Sequence, residues 1–350
     1  MKKPQKLKKG DTVAIVSLSS GIAGDKTFYH RYELGKKRLE EEFGLKVITM
    51  PNALIGSEET YLHPELRAKD LMDAFNNKEI KAIFCNIGGD DTIRLLPYID
   101  FETINNNPKI FMGYSDTTIN HFMLNKAGII SYYGPSVMAE FAENVKMHEY
   151  TKNSVIRTLF EDSEGYKIIP SKEWTSESLT WTEEKNNNSQ RKMLTEKKGI
   201  EILQGFEDIE GVLIGGCIDT FHMFIGSKIW PKSDWKNKIL FLETSEDKPD
   251  PSYVSQILRN PLMITVLKQI EGIIIGKPVD ETYYEEYKEI YLNIIQKELK
   301  LNKLFIGYNY NFGHTAPMCV LPMGIKVKIN AKTGIIEFLE SATKEEENEK

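Results

Sequence analysis

The chain is predicted to be an α/β protein built on a parallel sheet, and three observations support this. Short apolar runs alternate with amphipathic helical stretches. Several of those runs are continuously apolar rather than alternating, as at residues 81–87, which marks strands covered on both faces. Glycine-containing turns stand where these runs end, and ligands in such sheets bind beyond the carboxyl ends of strands.

The elements follow in order. Residues 13–17 form a first strand, and residues 28–43 a helix with Leu34, Leu39 and Phe43 on one side. Residues 46–50 are a strand, and residues 64–77 a helix carrying Leu66, Leu71, Met72 and Phe75. The strand at 81–87 ends in Gly88-Gly89-Asp90-Asp91, residues 91–96 start a helix, and residues 109–113 form a further strand. Beyond it, Ile119, Phe122 and Met123 recur at helical spacing. Residues 161–204 change character: Asn186-Asn187-Asn188-Ser189-Gln190 and the surrounding charges read as an exposed loop that contains Trp174 and Trp181. Alternation then resumes. Strands are expected at 211–214, 238–242, 272–276 and 304–308, with helices through Phe224 and at 253–269 and 281–299. A closing hairpin joins 325–329 to 335–339 through Thr333-Gly334, and the charged end is expected to fray.

With 350 residues the chain suggests two domains: 1–165 with the candidate nucleophile, a linker and substrate loop at 166–205, a second β/α domain at 206–342, and a charged tail at 343–350. A net charge of −6 argues against broad nucleic-acid or acidic-membrane binding. No run approaches the ~18 apolar residues of a membrane span, and the lysine-rich start lacks the long apolar run of a secretory signal. Cys85, Cys217 and Cys319 lie in apolar segments, which fits reduced, buried thiols and a cytoplasmic setting.

The junction Tyr114-Ser115-Asp116 carries the most functional information. It lies between a buried strand and an amphipathic helix, where a serine hydroxyl is thrust out above the sheet and the helix's first N–H groups face whatever it attacks. The alternative is that Ser115 simply caps the helix. A serine nucleophile needs a base oriented by an acid. Of six histidines, His314 alone sits in a glycine- and proline-punctuated loop directly after a strand; it could equally be a loop residue without a catalytic task. Glu243 follows a buried strand at once and needs a partner, either a histidine N–H, a salt bridge to Lys248, or a cap for the next helix. Gly88-Gly89 offers unhindered N–H groups for an oxyanion, with the Asp116 N–H as second donor, or is a tight turn. His-Glu-x-x-His, paired Cys-x-x-Cys, calcium-loop, Walker and Gly-x-Gly-x-x-Gly patterns do not occur, so no metal or cofactor is expected.

Taken together, Ile87-Gly88-Gly89-Asp90-Asp91, Arg94-Leu95-Leu96-Pro97, Gly113-Tyr114-Ser115-Asp116-Thr117-Thr118, Gly215-Gly216, Leu242-Glu243-Thr244 and Gly313-His314 resemble, in order, the LD-carboxypeptidase serine peptidases. The resemblance implies a flavodoxin-like amino-terminal domain, a smaller mixed β/α carboxy-terminal domain, a homodimer, and a Ser115–Glu243–His314 triad. One branch of that family trims D-alanine from murein tetrapeptides; the other, the microcin C immunity branch, cleaves aminoacyl-nucleotides. The insert with Glu173-Trp174 and Leu179-Thr180-Trp181, and the run from Glu243 to Pro249, are similar to the second branch. A tryptophan there can stack on a purine or pin the loop to the body, and Lys248 can meet a phosphate. Cys217 departs from the asparagine that many members carry after Gly-Gly. The expectation is a metal-free serine carboxypeptidase acting on a small peptide-like or aminoacyl-nucleotide substrate. Murein hydrolysis and non-catalytic ligand binding are the alternatives. Cys85, inside an apolar strand, is a poor nucleophile.

Overall fold

A computed structural model describes residues 1–232 and 235–345. The predicted rhythm closes into two large sheets, and Glu173–Trp174 pairs with Leu194–Thr195 in a separate two-stranded one. In the first, the strands Ser131–Tyr133, Ile110–Gly113, Ile80–Cys85, Thr12–Val16 and Lys46–Thr49 lie side by side and parallel, in the flavodoxin-like order. Leu321–Met323 from the far end of the chain adds an antiparallel edge beside Ser131–Tyr133. The continuous apolar runs are explained by burial from both sides: Ile110–Gly113 is buried throughout and Ile80–Cys85 at all but one position.

The second sheet has eight strands. Its centre is parallel, formed by Ile209–Cys217, Lys238–Glu243, Gly272–Gly276 and Phe305–Tyr310, with antiparallel strands on both flanks. Register pairs Cys217 directly with Glu243, so the carboxyl ends of two neighbouring strands finish together. Each sheet is enclosed by helices, and apolar residues from both halves of the chain, such as Phe122 and Phe224, pack into shared clusters.

Several expected helices are present with small boundary shifts, at Tyr29–Glu41, Pro64–Asn76 and Thr117–Ala127. The helix expected at 253–269 is two, Pro251–Leu258 and Pro261–Leu267. Pro261 cannot continue a helix from its amino side, and Asn260 caps the second through the Leu262 N–H at 2.9 Å. The helix expected at 281–299 runs as Tyr284–Leu292 and then loosens into π-type turns at Asn293–Glu298.

The polar segment after residue 160 also differs from expectation. It is not wholly an exposed loop: Trp174 is buried, and Thr175 exchanges two backbone hydrogen bonds with Ala316 in the His314 loop. At the charged end, Lys344 bonds through its backbone to Pro4 and Lys6 instead of fraying, while residues 346–350 lie outside the described residues. No helix among the described residues is long and apolar enough to cross a membrane.

Candidate active site

Ser115 sits where the strand Ile110–Gly113 gives way to the helix Thr117–Ala127. Its φ is +62°, a left-handed conformation that costs a non-glycine residue on the order of 1–3 kcal/mol and persists only where the surroundings impose it. The Ser115 N–H donates to the Tyr133 hydroxyl at 3.2 Å, which fixes the strained turn. Gly88 lies against it closely enough that a side chain there would reach 2.9 Å from the Ser115 hydroxyl. Gly89, at φ +148°, leaves no room for a Cβ beside Ser19.

Asp116 is fully buried. Its carboxylate accepts from the Ser19 hydroxyl at 2.6 Å and the Thr92 N–H at 2.8 Å, so it ties the turn after the first strand and the far end of the Gly88–Asp91 turn to the Ser115 elbow. Burial raises its pKa to about 6. Asp116, expected from sequence only as a backbone N–H donor, thus also organises the Gly88–Asp91 turn through its side chain.

Glu243 ends the strand Lys238–Glu243 and is 1% exposed. Its Oε1 accepts from the Tyr133 hydroxyl at 2.5 Å, and its Oε2 from Nδ1 of His314 at 2.7 Å. Gly313 makes that contact possible, because a Cβ there would lie 2.5 Å from Glu243 Oε2. Of the three partners considered for Glu243, the structure selects the histidine; Lys248 pairs with Asp280 instead.

His314 is nearly buried, with the Tyr114 ring 4.9 Å away centre to centre. Its Nε2 faces Glu246 Oε2 at 3.0 Å, and none of the described hydrogen bonds joins it to the Ser115 hydroxyl. Burial alone would lower the His314 pKa, but Glu243 and then Glu246 outweigh it and hold the imidazolium well above the usual range. In turn, the His314 hydrogen bond draws the Glu246 carboxyl below its usual value.

Two cavities flank this histidine. One, of about 620 Å³, is lined by Ser115, Gly88, Gly89, Cys217, Asp219 and His314. The other, of about 200 Å³, holds Trp181, Arg31, Arg191 and Glu143. Ile87, Tyr114, Glu246 and His314 line both, so Glu246 stands at the junction between them. Trp181 is half-buried, with the Arg31 guanidinium 4.7 Å from its ring centre. Trp174 lines neither cavity: the Lys277 ammonium lies 4.2 Å from its ring, inside an ion-pair cluster with Glu196 and Glu281. Lys248 is likewise absent from both linings. Among the described residues, Cys217, Glu243 and His314 form the one group of three whose ligand atoms, all within 4.8 Å of one another, could hold a metal ion.

Family models decide the relationship. The LD-carboxypeptidase N-terminal domain matches residues 13–134, and the LD-carboxypeptidase C-terminal domain matches residues 210–329. The chain belongs to the LD-carboxypeptidase family. Its LD-carboxypeptidase fold is shared by an MccF-like protein from Streptococcus pneumoniae solved in complex with AMP, with a TM-score of 0.85 at 36% identity over 94% of this chain and 98% of that one. The microcin C7 self-immunity protein MccF of Escherichia coli is 28% identical over 92% of this chain and 91% of its own. MccF has been solved in complex with glutamyl sulfamoyl guanosine and with aspartyl sulfamoyl adenosine. A Bacillus subtilis LD-carboxypeptidase relative, named as a probable murein peptide carboxypeptidase, is 26% identical over 96% of this chain and 94% of its own. Serine-peptidase-type chemistry therefore comes with the family.

Proposed function

We propose that this member of the LD-carboxypeptidase family hydrolyses an amide-type bond in a small aminoacyl- or peptidyl-nucleotide, with Ser115 as nucleophile, His314 as base and Glu243 as orienting acid. The observation that carries this reading is the Glu243–His314 hydrogen bond of 2.7 Å, which holds His314 in the cavity that Ser115 also lines. The strained Ser115 backbone adds support over a non-catalytic binding role, which would not require it.

In this mechanism His314 first loses its Nε2 proton to solvent as it leaves Glu246, and the neutral imidazole turns to the Ser115 hydroxyl as substrate fills the junction of the two cavities. Ser115 attacks the scissile carbonyl and His314 takes its proton. The Gly89 and Asp116 N–H groups receive the oxyanion. His314 then protonates the leaving group, and water, activated by the same imidazole, releases the acyl group from Ser115. Glu243 holds Nδ1 and favours the imidazolium throughout.

The nucleotide preference draws on the relatives solved with AMP and aminoacyl sulfamoyl nucleosides, and on Trp181 in the smaller cavity, where a purine could stack. Lys248, paired with Asp280 outside both cavities, would have to change partner to meet a phosphate. The test compares hydrolysis of an aminoacyl sulfamoyl adenosine with that of a murein tetrapeptide. The proposal expects cleavage of the first, abolished in a folded Ser115→Ala protein. Cleavage of the tetrapeptide alone would transfer the protein to the murein branch, and a Ser115→Ala protein with the parent rate would end the serine mechanism.

A further inference from the structure

We propose that Cys217, Glu243 and His314 form an inhibitory binding site for a thiophilic divalent cation of the zinc class. Three separate elements bring the ligands together. Cys217 and Glu243 are register partners at the ends of adjacent parallel strands, and His314 enters from the loop beyond the strand Phe305–Tyr310. Their donor atoms lie within 4.8 Å of one another. Tetrahedral zinc with sulfur, nitrogen and oxygen ligands needs donors about 3.3–3.7 Å apart, so small side-chain movements suffice.

The donor set selects the metal. One thiolate, one imidazole and one carboxylate suit zinc and its soft neighbours, whereas magnesium and calcium call for oxygen donors alone. Access comes through the larger cavity, which Cys217 and His314 both line. Tyr133, donating to Glu243 Oε1, supplies the outer hydrogen bond that metal carboxylates usually have, and the ion would replace the proton that Oε2 now shares with His314 Nδ1 at 2.7 Å.

Charge also balances. A glutamate, an imidazolium and a thiol together carry no net charge. As the dication enters, the imidazolium and the thiol each release one proton to solvent, and the four groups again sum to zero. A buried site is therefore filled without burying net charge. The ion bonds the imidazole, so Ser115 loses its base and hydrolysis stops. The consequence belongs to this chain through Cys217: an asparagine at that position supplies no thiolate.

The test uses Ser115→Ala protein, reduced and free of metal, titrated with zinc chloride by calorimetry in two buffers of different ionisation heat. One zinc ion per chain and proton release are expected, with affinity lowered on the order of 100-fold when Cys217→Ala is added. If that variant folds poorly by circular dichroism, Cys217→Asn replaces it with the same expectation. Magnesium should not bind at this site. In protein with Ser115 intact, zinc should block hydrolysis reversibly with a chelator, and Cys217→Ala should resist it. An affinity unchanged by either Cys217 substitution, or no binding at all, overturns the site. Because the calorimetric readout needs no turnover, it can fail or succeed independently of the proposed hydrolysis.

Discussion

Two carboxylates hold the same imidazole, and they belong to different parts of the molecule. Glu243 lies at the floor of the site with its side chain 1% exposed, pinned by the Tyr133 hydroxyl and anchored at a strand end. Glu246 lies at the rim with its side chain 70% exposed, and among the described hydrogen bonds and ion pairs its side chain meets only His314. The floor is held through both carboxylate oxygens, the rim through a single contact. Preorganised groups stabilise developing charge without reorganising during reaction, whereas a solvated carboxylate can leave its partner at little cost. If His314 is the base proposed above, its orientation is set by the buried carboxylate and its availability by the exposed one.

The sharpest way to break that comparison is to remove the floor. Glu243→Gln is expected to lower kcat on the order of 10⁴-fold, because the amide no longer selects the right tautomer or stabilises the imidazolium. A loss under tenfold would show that the floor carries no special weight. Next comes Tyr133→Phe, which deletes a hydrogen bond to a buried carboxylate and frees the Ser115 N–H. A charge-assisted bond of this kind contributes about 1.5–3 kcal/mol, roughly 10–100-fold in kcat if it acts fully in the transition state. KM should change little, and steady-state kinetics separates the two parameters.

At the rim, Glu246→Gln should leave the plateau rate close to the parent and move the acid limb of the kcat/KM profile to lower pH. The sign follows from the raised His314 pKa: the base is available only once it loses its proton, and removing one carboxylate makes that loss easier. An unmoved limb would mean that Glu246 does not hold the imidazole in solution. The same substitution predicts a stability change. The Glu246–His314 pair stabilises fully between the ordinary carboxylate value of 4.5 and the ordinary imidazole value of 6.5. It weakens below that window as Glu246 protonates and above it as His314 deprotonates. Melting temperatures of the two proteins should therefore differ most in that window.

The two tryptophans give a clean contrast between binding and stability. Trp181→Ala should raise KM for a nucleotide substrate by about tenfold if stacking is its role, with little loss of stability. Trp174→Ala should instead destabilise the protein by about 3–5 kcal/mol, since it removes a buried aromatic that packs under Lys277. Equal KM effects from both would argue that the insert acts as one anchor.

Much of this was legible from sequence. The apolar strands, the Ser115 junction, the position of the His314 loop directly after a strand and the strand-terminal Glu243 all follow from local patterning, because periodicity and turn chemistry act over a few residues. Other features were not. Tyr133 gave no local signal, since its importance lies in meeting Glu243 110 residues away. Glu246 is one acid in a charged run with no local mark, and the choice between stacking and anchoring for Trp174 rests on Lys277, which is remote in sequence.

By itself, then, the order of residues determined the α/β alternation, the strain-prone serine turn and the residue types able to perform acyl transfer. Only the tertiary structure decided which groups share a hydrogen bond, that Lys248 turns to Asp280 while His314 turns to Glu243, and that Cys217 stands beside Glu243. The physical reason is range. Backbone preferences are set by neighbours along the chain, while partner choice, burial and charge balance are set by strands that register against one another only after the sheets have formed.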